Sequence, residues 1–214
     1  MHIPDGFLSP PVWGTCFVAA AAGVAYAAKK SQDQFDEKAV PLTGIVCAFI
    51  FAAQMINFPV MAGTSGHLLG GVLATVLLGP WVASLVLALV LIVQCFIFQD
   101  GGVSVLGANI INMAFGGVWG GYALFVLLRS FSPKKWMFLT ATAVASWASV
   151  LIASACCAVQ IGLSGTYPLG LTLKAMLLVH AIIGIGEAII TTAVVVTVLN
   201  TRRDLVSTYK EELI

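Results

Sequence analysis

The stretch WVASLVLALVLIVQCFIF, residues 81–98, contains no charged side chain. A helix that crosses the hydrocarbon core of a bilayer needs about 20 mostly apolar residues. Six further apolar segments flank this stretch, and together they predict seven transmembrane helices at 11–28, 41–58, 67–79, 81–98, 109–129, 137–160 and 173–199. The third segment is too short to cross the bilayer by itself. Gly79-Pro80 interrupts the helical run between the third and the fourth segment. The sequence therefore predicts an all-α, polytopic membrane protein.

The composition of the whole chain points to the same class. Of its 214 residues 60% are hydrophobic and only 9% are charged, and the mean hydropathy is +1.02. A soluble domain carries about a quarter of its residues as charged ones, so lipid is the expected solvent. No P-loop motif and no basic run interleaved with aromatics occur, which argues against nucleotide hydrolysis and nucleic-acid binding. The five cysteines form no C-x-x-C motif, and we interpret them as core residues.

The basic residues predict the orientation. Positive charges favour the cytoplasmic side of a membrane protein. Nine of the ten Lys and Arg residues flank the same ends of the predicted spans, and only Lys174 lies near the other side. This predicts the amino terminus outside and the carboxyl terminus in the cytoplasm. We treat 1–214 as a single membrane domain with an amino-terminal segment 1–10, a helical bundle 11–199 and a cytoplasmic tail 200–214.

The amino-terminal segment carries the first candidate site. It begins Met1-His2 and has no Lys or Arg, unlike the start of a signal peptide, so we expect it to be retained. A histidine at position two offers a metal three nitrogens: the terminal amine, its own deprotonated amide and its imidazole. Such a planar set suits Ni(II) or Cu(II). The alternative for His2 is a solvated terminal residue, but Pro4, Asp5 and Gly6 stiffen the segment.

His67 follows a glycine-rich sequence, GTSG at 63–66, at the start of the short third span. Irregular backbone at membrane depth is tolerated where it lines a cavity, so His67 is a candidate ligand at the floor of an outward pocket. The alternative is a packed histidine that caps a helix. The loop with Asp100 and Asn109 can act as a lid or as support for the site, or be an ordinary solvated loop.

His180 and Glu187 are seven residues apart in the last span and therefore share one helix face. Ionisable groups inside a membrane are functional candidates. Glu187 could pair with His180, balance a bound cation or orient a ligand histidine. A purely structural pair is the open alternative.

Four stretches resemble the CbiM/NikM family, the substrate-capture (S) components of energy-coupling factor transporters for cobalt and nickel. They are MHIPDGFLS at 1–9, GTSGHLLG at 63–70, QDGG at 99–102 with GAN at 107–109, and H-x-x-x-G-x-G-E at 180–187. The resemblance runs from residue 1 to about 190. It implies a seven-span fold whose amino terminus is tucked into the bundle, and a metal held by Met1, His2 and His67. The candidate supporting residues are Asp5, Ser65, Asp100, Asn109, His180 and Glu187.

The resemblance also implies partners. A separate transmembrane coupling protein and two cytoplasmic ATPases would drive uptake, often with a small accessory membrane subunit, in the plasma (inner) membrane of a prokaryote. The chain itself would be no enzyme and need no cofactor, with Ni²⁺ or Co²⁺ as its transported substrate. Planar nitrogen ligation and the affinity order favour nickel over cobalt. Because the ligands must lose protons, we expect affinity to fall below about pH 6.5–7.7, the range of free imidazole and terminal amine.

Two alternatives stay open at the level of sequence. Ser65, in the G-x-S-G pattern, and His180 could form the dyad of a rhomboid-like intramembrane serine protease, although the external loops lack the arginine usual there. The second alternative is a secondary cation transporter that works without partner proteins.

Overall fold

The computed structural model describes residues 1–34, 39–60 and 64–209. It is mostly helical, and apolar runs form its helices. The helices and strands are, in chain order, α1 Pro10–Ser31, α2 Ala39–Gln54, β1 Asn57–Pro59, β2 Ser65–His67, α3 Gly71–Leu78, α4 Pro80–Phe98, α5 Leu106–Ile110, a π-helical segment Ile111–Gly117, α6 Val118–Arg129, α7 Lys135–Leu163 and α8 Leu169–Thr201. Single 3₁₀ turns cover Gln32–Gln34 and Arg203–Leu205.

Five helical stretches are long and apolar enough to cross a membrane: Pro10–Gln34, Pro80–Phe98, Leu106–Arg129, Lys135–Leu163 and Leu169–Thr201. The other two predicted spans contain shorter helices, since α2 has 16 residues and α3 has 8. The seven apolar segments are therefore all helical, whereas the count of seven complete spans stays a prediction. So does the orientation, and two of its nine basic residues, Lys38 and Lys210, lie outside the described residues.

The helical fold contains one short β-sheet that the sequence analysis did not predict. β1 and β2 form a short antiparallel pair in which Asn57 lies opposite His67 and Pro59 opposite Ser65. The second predicted span reached residue 58, but α2 ends at Gln54. Pro59 explains the early end, because proline disfavours the helical conformation of the residue before it and lacks an N–H group itself.

The third helix also begins later than predicted. His67 was placed at the start of the helix, yet it lies in β2, and α3 starts only at Gly71. Gly70 separates them with a φ of +75°, a left-handed conformation that glycine adopts without steric cost. The Ile50 side chain also fills the space that a Cβ at this position would need. Gly63, part of the motif noted above, lies outside the described residues.

The short helix α3 is the centre of the bundle. All eight of its residues are buried, and it packs against α4, α6, α7 and α8. In contrast, α1 lies at the periphery and buries only Ala20, Ala27 and Ser31. The chain after α8, expected to be a cytoplasmic tail, turns back to the bundle: Thr208 bonds the carbonyl of Val76 through its N–H at 3.3 Å and its hydroxyl at 3.0 Å. The last turn of α3 thereby gains partners for carbonyls that a helix end leaves free.

Candidate metal centre

The amino-terminal segment enters the protein and is buried there. Met1 and Ile3 are fully buried, and His2 is 3% exposed. Ile3 and Leu8 belong to an apolar cluster with Val60, Ala158 and Met176. The burial of these side chains removes apolar surface from water and stabilises the inserted position of the segment.

Hydrogen bonds fix the same segment to α5 and to the loop that precedes it. Asn109 accepts a bond from the Ile3 N–H at 2.9 Å and donates one to the Ile3 carbonyl at 3.3 Å. The Asp5 carboxylate accepts bonds from the N–H groups of Val103 at 3.1 Å and Ser104 at 2.9 Å, and from the Ser104 hydroxyl at 2.5 Å. A Cβ at Gly102 would overlap Asp5, so the glycine permits this close approach.

The three nitrogens of the predicted chelate face one atom. The hydroxyl oxygen of Ser65 lies 3.2 Å from the amine of Met1, 3.3 Å from the amide nitrogen of His2 and 3.3 Å from its Nδ1. The amine also donates to the Ser65 carbonyl. Because all three nitrogens are within reach of the same oxygen, they lie on one side of the segment, where a single ion could contact them.

His67 lies beside this group. Its ring stacks on that of His2, with 4.6 Å between centroids and 25° between planes. Its Nδ1 donates to the carbonyl of Leu68 at 2.7 Å, and its Nε2 has no partner among the described residues. The free lone pair is therefore on Nε2. A ring whose other N–H is held by a backbone carbonyl is the usual arrangement of a metal-binding histidine.

Two further side chains contact the ring of His2. Nε2 donates to the amide oxygen of Gln94 at 3.2 Å, and Nδ1 lies 3.2 Å from the Asp100 carboxylate. Asp100 in turn accepts a bond from Asn57 at 3.2 Å. Gln94 and Asn57 were missed in the sequence. Gln94 could have been noticed as the one carboxamide within a predicted span that has no charged residue.

Burial keeps this site free of protons. Desolvation lowers the pKa of the terminal amine from 8.0 to about 5, partly offset by Cys157 and Asp100. It lowers the pKa of His2 from 6.5 to about 3, with the positive amine adding to the effect and the bond to Gln94 opposing it. The pKa of His67 is held well below its usual value by burial and then by the charges of the amine and His2. The nitrogen lone pairs of the amine and of the two imidazoles are thus free of protons at neutral pH. We therefore expect metal affinity to fall only at a pH lower than the 6.5–7.7 predicted from the sequence.

Of the roles left open for Glu187, a direct bond to His180 is not formed, because the two side chains bond different backbone groups. The Glu187 carboxylate accepts bonds from the backbone N–H groups of Leu69 at 2.8 Å and Gly70 at 2.6 Å. His180 donates from Nδ1 to the Met176 carbonyl at 2.7 Å, and its Nε2 has no partner within the described ranges. The seven-residue spacing puts both side chains on one face of α8. The Glu187 carboxylate, however, accepts its hydrogen bonds from the backbone that follows His67.

The structure also disfavours a protease dyad. The Ser65 hydroxyl contacts the nitrogens of Met1 and His2, while Nε2 of His180 has no hydrogen-bond partner in the described chain. A catalytic serine and its base lie within hydrogen-bond reach of each other, which these two do not. Among the described residues no three His, Cys, Asp or Glu side chains form a metal cluster either. An ion at this place would therefore depend on the amine and the amide.

Known proteins share both the sequence and the fold. Residues 2–205 match CbiM, described as the cobalt uptake substrate-specific transmembrane region. An Archaeoglobus fulgidus protein, "Putative fused nickel transport protein NikMN", is 38% identical over 208 residues, 96% of this chain and 68% of that protein. A "Putative metal transport protein" of Haloquadratum walsbyi is 38% identical over 213 residues, 99% of this chain and 95% of that protein.

A solved structure, described as a truncated transition metal transporter, superposes with a TM-score of 0.88 at 35% identity. The match covers 94% of this chain and 99% of that one. It extends the agreement in sequence to the arrangement of the helices. On this evidence the chain is a membrane transport protein of the CbiM family.

Proposed function

We propose that this chain captures a divalent nickel or cobalt ion through four nitrogens: the Met1 amine, the His2 amide, the His2 Nδ1 and the His67 Nε2. The observation that carries the proposal is the approach of the first three to one point, the Ser65 hydroxyl, at 3.2–3.3 Å. The stacked ring of His67, with its unpartnered Nε2, supplies the fourth.

Capture replaces existing hydrogen bonds. Met1 and His2 give up their bonds to Ser65, and the ion takes the place that the serine hydroxyl faces. The His2 amide loses its proton, and its negative charge offsets one of the two charges of the ion. That compensation matters because an uncompensated charge is costly to bury. Asp100, 3.2 Å from His2 Nδ1, supplies further negative charge nearby.

Nickel is the preferred substrate in this proposal. Four nitrogens that include two fused chelate rings impose a planar arrangement, which suits Ni(II), and nickel precedes cobalt in the affinity order of divalent ions. Copper(II) binds such sites more tightly still, so the availability of the metal and the geometry of the site must both contribute to selection against it.

The chain acts as the substrate-capture component of an energy-coupling factor transporter. The metal enters from outside, the amino-terminal segment closes over it, and ATP-driven movement of a coupling protein with two ATPases releases it inside. The absence of a P-loop motif from the sequence supports separate ATPases. Uptake by this chain alone, without those partners, would instead favour a stand-alone secondary transporter.

The test is calorimetric titration of the purified chain with Ni²⁺. One sample has an unblocked Met1, a second carries two glycines ahead of Met1, and a third carries the same two glycines after residue 214. The extension turns the Met1 amine into a peptide amide; two glycines are used because a single one would place the histidine third in the chain, where the amine, two amides and the imidazole form a chelate of their own. We expect the second sample to lose affinity by at least about 100-fold, because loss of a ligand costs more than the roughly 10- to 100-fold of an outer-shell partner. Equal binding by all three samples would falsify the terminal chelate.

A further inference from the structure

Strand β2 separates two different surroundings. Successive side chains of a strand point to opposite faces. Ser65 bonds the amino-terminal nitrogens on one face. On the other face, Thr64 donates to the sulfur of Met176 at 3.3 Å, and a Cβ on Gly66 would lie 3.7 Å from Nε2 of His180. Strand β2 thus lies between the capture site and helix α8.

His180 has the same hydrogen-bonding state as His67. Both rings are fully buried, donate from Nδ1 to a backbone carbonyl, and keep Nε2 without a partner in the described part of the chain. A buried nitrogen without a partner destabilises a fold, so it calls for an explanation. Leucine or another apolar side chain would fill this position in α8 at no such cost.

His180 also lies close to the strand that bears His67. Its Nε2 is 3.7 Å from the position that a Cβ of Gly66 would occupy. Gly66 lies between Ser65 and His67 and has no side chain, so the strand backbone itself comes close to His180 at this residue. A larger residue there would collide with Ile183 and Val60. The arrangement leaves an imidazole lone pair directly behind the site.

Building on the proposed function, we propose that His180 is a metal ligand on the release path, which takes the ion from the amino-terminal chelate after capture. In this exchange the bond from His180 Nε2 to the metal forms as the bond from the His2 amide breaks. The amide recovers a proton from solvent, and no electron is transferred. Loss of the bond between the metal and the His2 amide nitrogen converts a tight planar chelate into a site based on imidazoles. Such a site releases its metal ion more readily.

The test separates capture from transport. The variants are His180→Leu, which fills the space without a lone pair, and His180→Cys, which restores a soft ligand. The control is Thr191→Val, a buried position 11 residues further along the same helix. Ni²⁺ affinity is measured by calorimetry on each purified chain with an unblocked Met1. Radioactive nickel uptake is measured in cells that also express the coupling protein and ATPases.

We expect His180→Leu to keep the wild-type affinity within about threefold and to lower the uptake rate by about tenfold or more. His180→Cys should recover part of the uptake, and Thr191→Val should match wild type in both measurements. Unchanged uptake by His180→Leu would overturn the role of His180, and so would a parallel loss of affinity, which would make it part of capture or of the fold. Wild-type chain that fails to bind Ni²⁺ would contradict the proposed function itself.

Discussion

Asn109 pairs with Ile3 in the way that a neighbouring strand would, because its side-chain amide satisfies both the N–H and the carbonyl of that residue. The N–H of Gly102 adds a second bond to the same carbonyl at 2.9 Å. Ile3 directly follows His2, so these bonds set the position of the chelating residue. α5 and the loop before it thus hold the amino-terminal segment directly.

Replacement of Asn109 by Ala should weaken Ni²⁺ binding about tenfold, because the amino-terminal segment then loses two of its anchors. Calorimetric titration measures the change. Asn112→Ala is the matched control, since Asn112 is also buried and exchanges two 2.8 Å bonds with Gln160, away from the segment. That variant should lose stability and keep its affinity. Equal losses of affinity in both variants would mean that Asn109 acts only through general stability.

Substitution of Asp5 by Ala should speed the release of the ion. The three bonds that Asp5 accepts from Val103 and Ser104 hold the segment closed. Asp5 is exposed to solvent, so its hydrogen bonds contribute little. We therefore expect a modest increase in the dissociation rate of the ion, about threefold to tenfold. Stopped-flow mixing of loaded protein with a chelator measures it. Asp33→Ala, an exposed acidic residue in the 3₁₀ turn after α1, should leave the rate unchanged.

The charge of Asp5 contributes to the same closure. Its bonds from Ser104 and Val103 lower the pKa of Asp5, so the carboxylate is ionised and fully effective at neutral pH. A group with a lowered pKa stabilises the closed state above its unfolded pKa and loses that effect as pH falls through the folded one. The difference in thermal stability between metal-free wild type and metal-free Asp5→Ala should therefore disappear in acid. A stability difference that persists unchanged at pH 2 would count against this role.

Glu187→Gln should destabilise the protein and weaken metal binding together. The carboxylate accepts two short bonds from the chain between His67 and α3, whereas a glutamine would direct an NH₂ group at one of those donors. Hydrogen bonds to charged groups contribute about 1.5–3 kcal/mol. Thermal unfolding in detergent and calorimetry measure the two effects. Thr191→Val, one turn further along α8, is the control, and a Glu187→Gln variant with wild-type affinity would disprove the link to His67.

Metal binding should release about one proton per ion between pH 6 and 8. The lowered pKa values of about 5 for the amine and about 3 for His2 mean that both are already neutral in this range. Protons compete with the ion at these two groups only when pH falls below those values, which leaves the amide as the source. Calorimetry in buffers of different ionisation enthalpy counts the protons.

A synthetic peptide of residues 1–6 is the control for this count. Its amine and imidazole are in water and keep ordinary pKa values near 8.0 and 6.5, so Ni²⁺ should displace more protons from it at pH 6. The same proton count for peptide and protein would show that burial does not prepare the site.

The sequence predicted the apolar helices well because each needs only a local run of hydrophobic residues. It singled out His2 and His67 as candidate ligands because a terminal histidine and a glycine-rich loop are local signals too, and the structure brings their two rings into contact. The partners of His2 were not predictable in this way: Gln94 is 92 positions away along the chain. Nor was the role of Glu187, because helical periodicity identifies a face but not the group that packs on it. The β1–β2 pair was missed because three-residue strands are shorter than any periodic pattern.

Helix α3 is fastened at both ends to the same neighbour. Glu187, within α8, holds the backbone just before it, and Ser207 and Thr208, on the chain that continues from α8, bond the carbonyls of Leu77 and Val76 at its far end. We therefore expect α3, α8 and the strand that bears His67 to move together. A partner that tilts α8 from the opposite end of the bundle would also move His67, because hydrogen bonds connect α8 to both ends of α3.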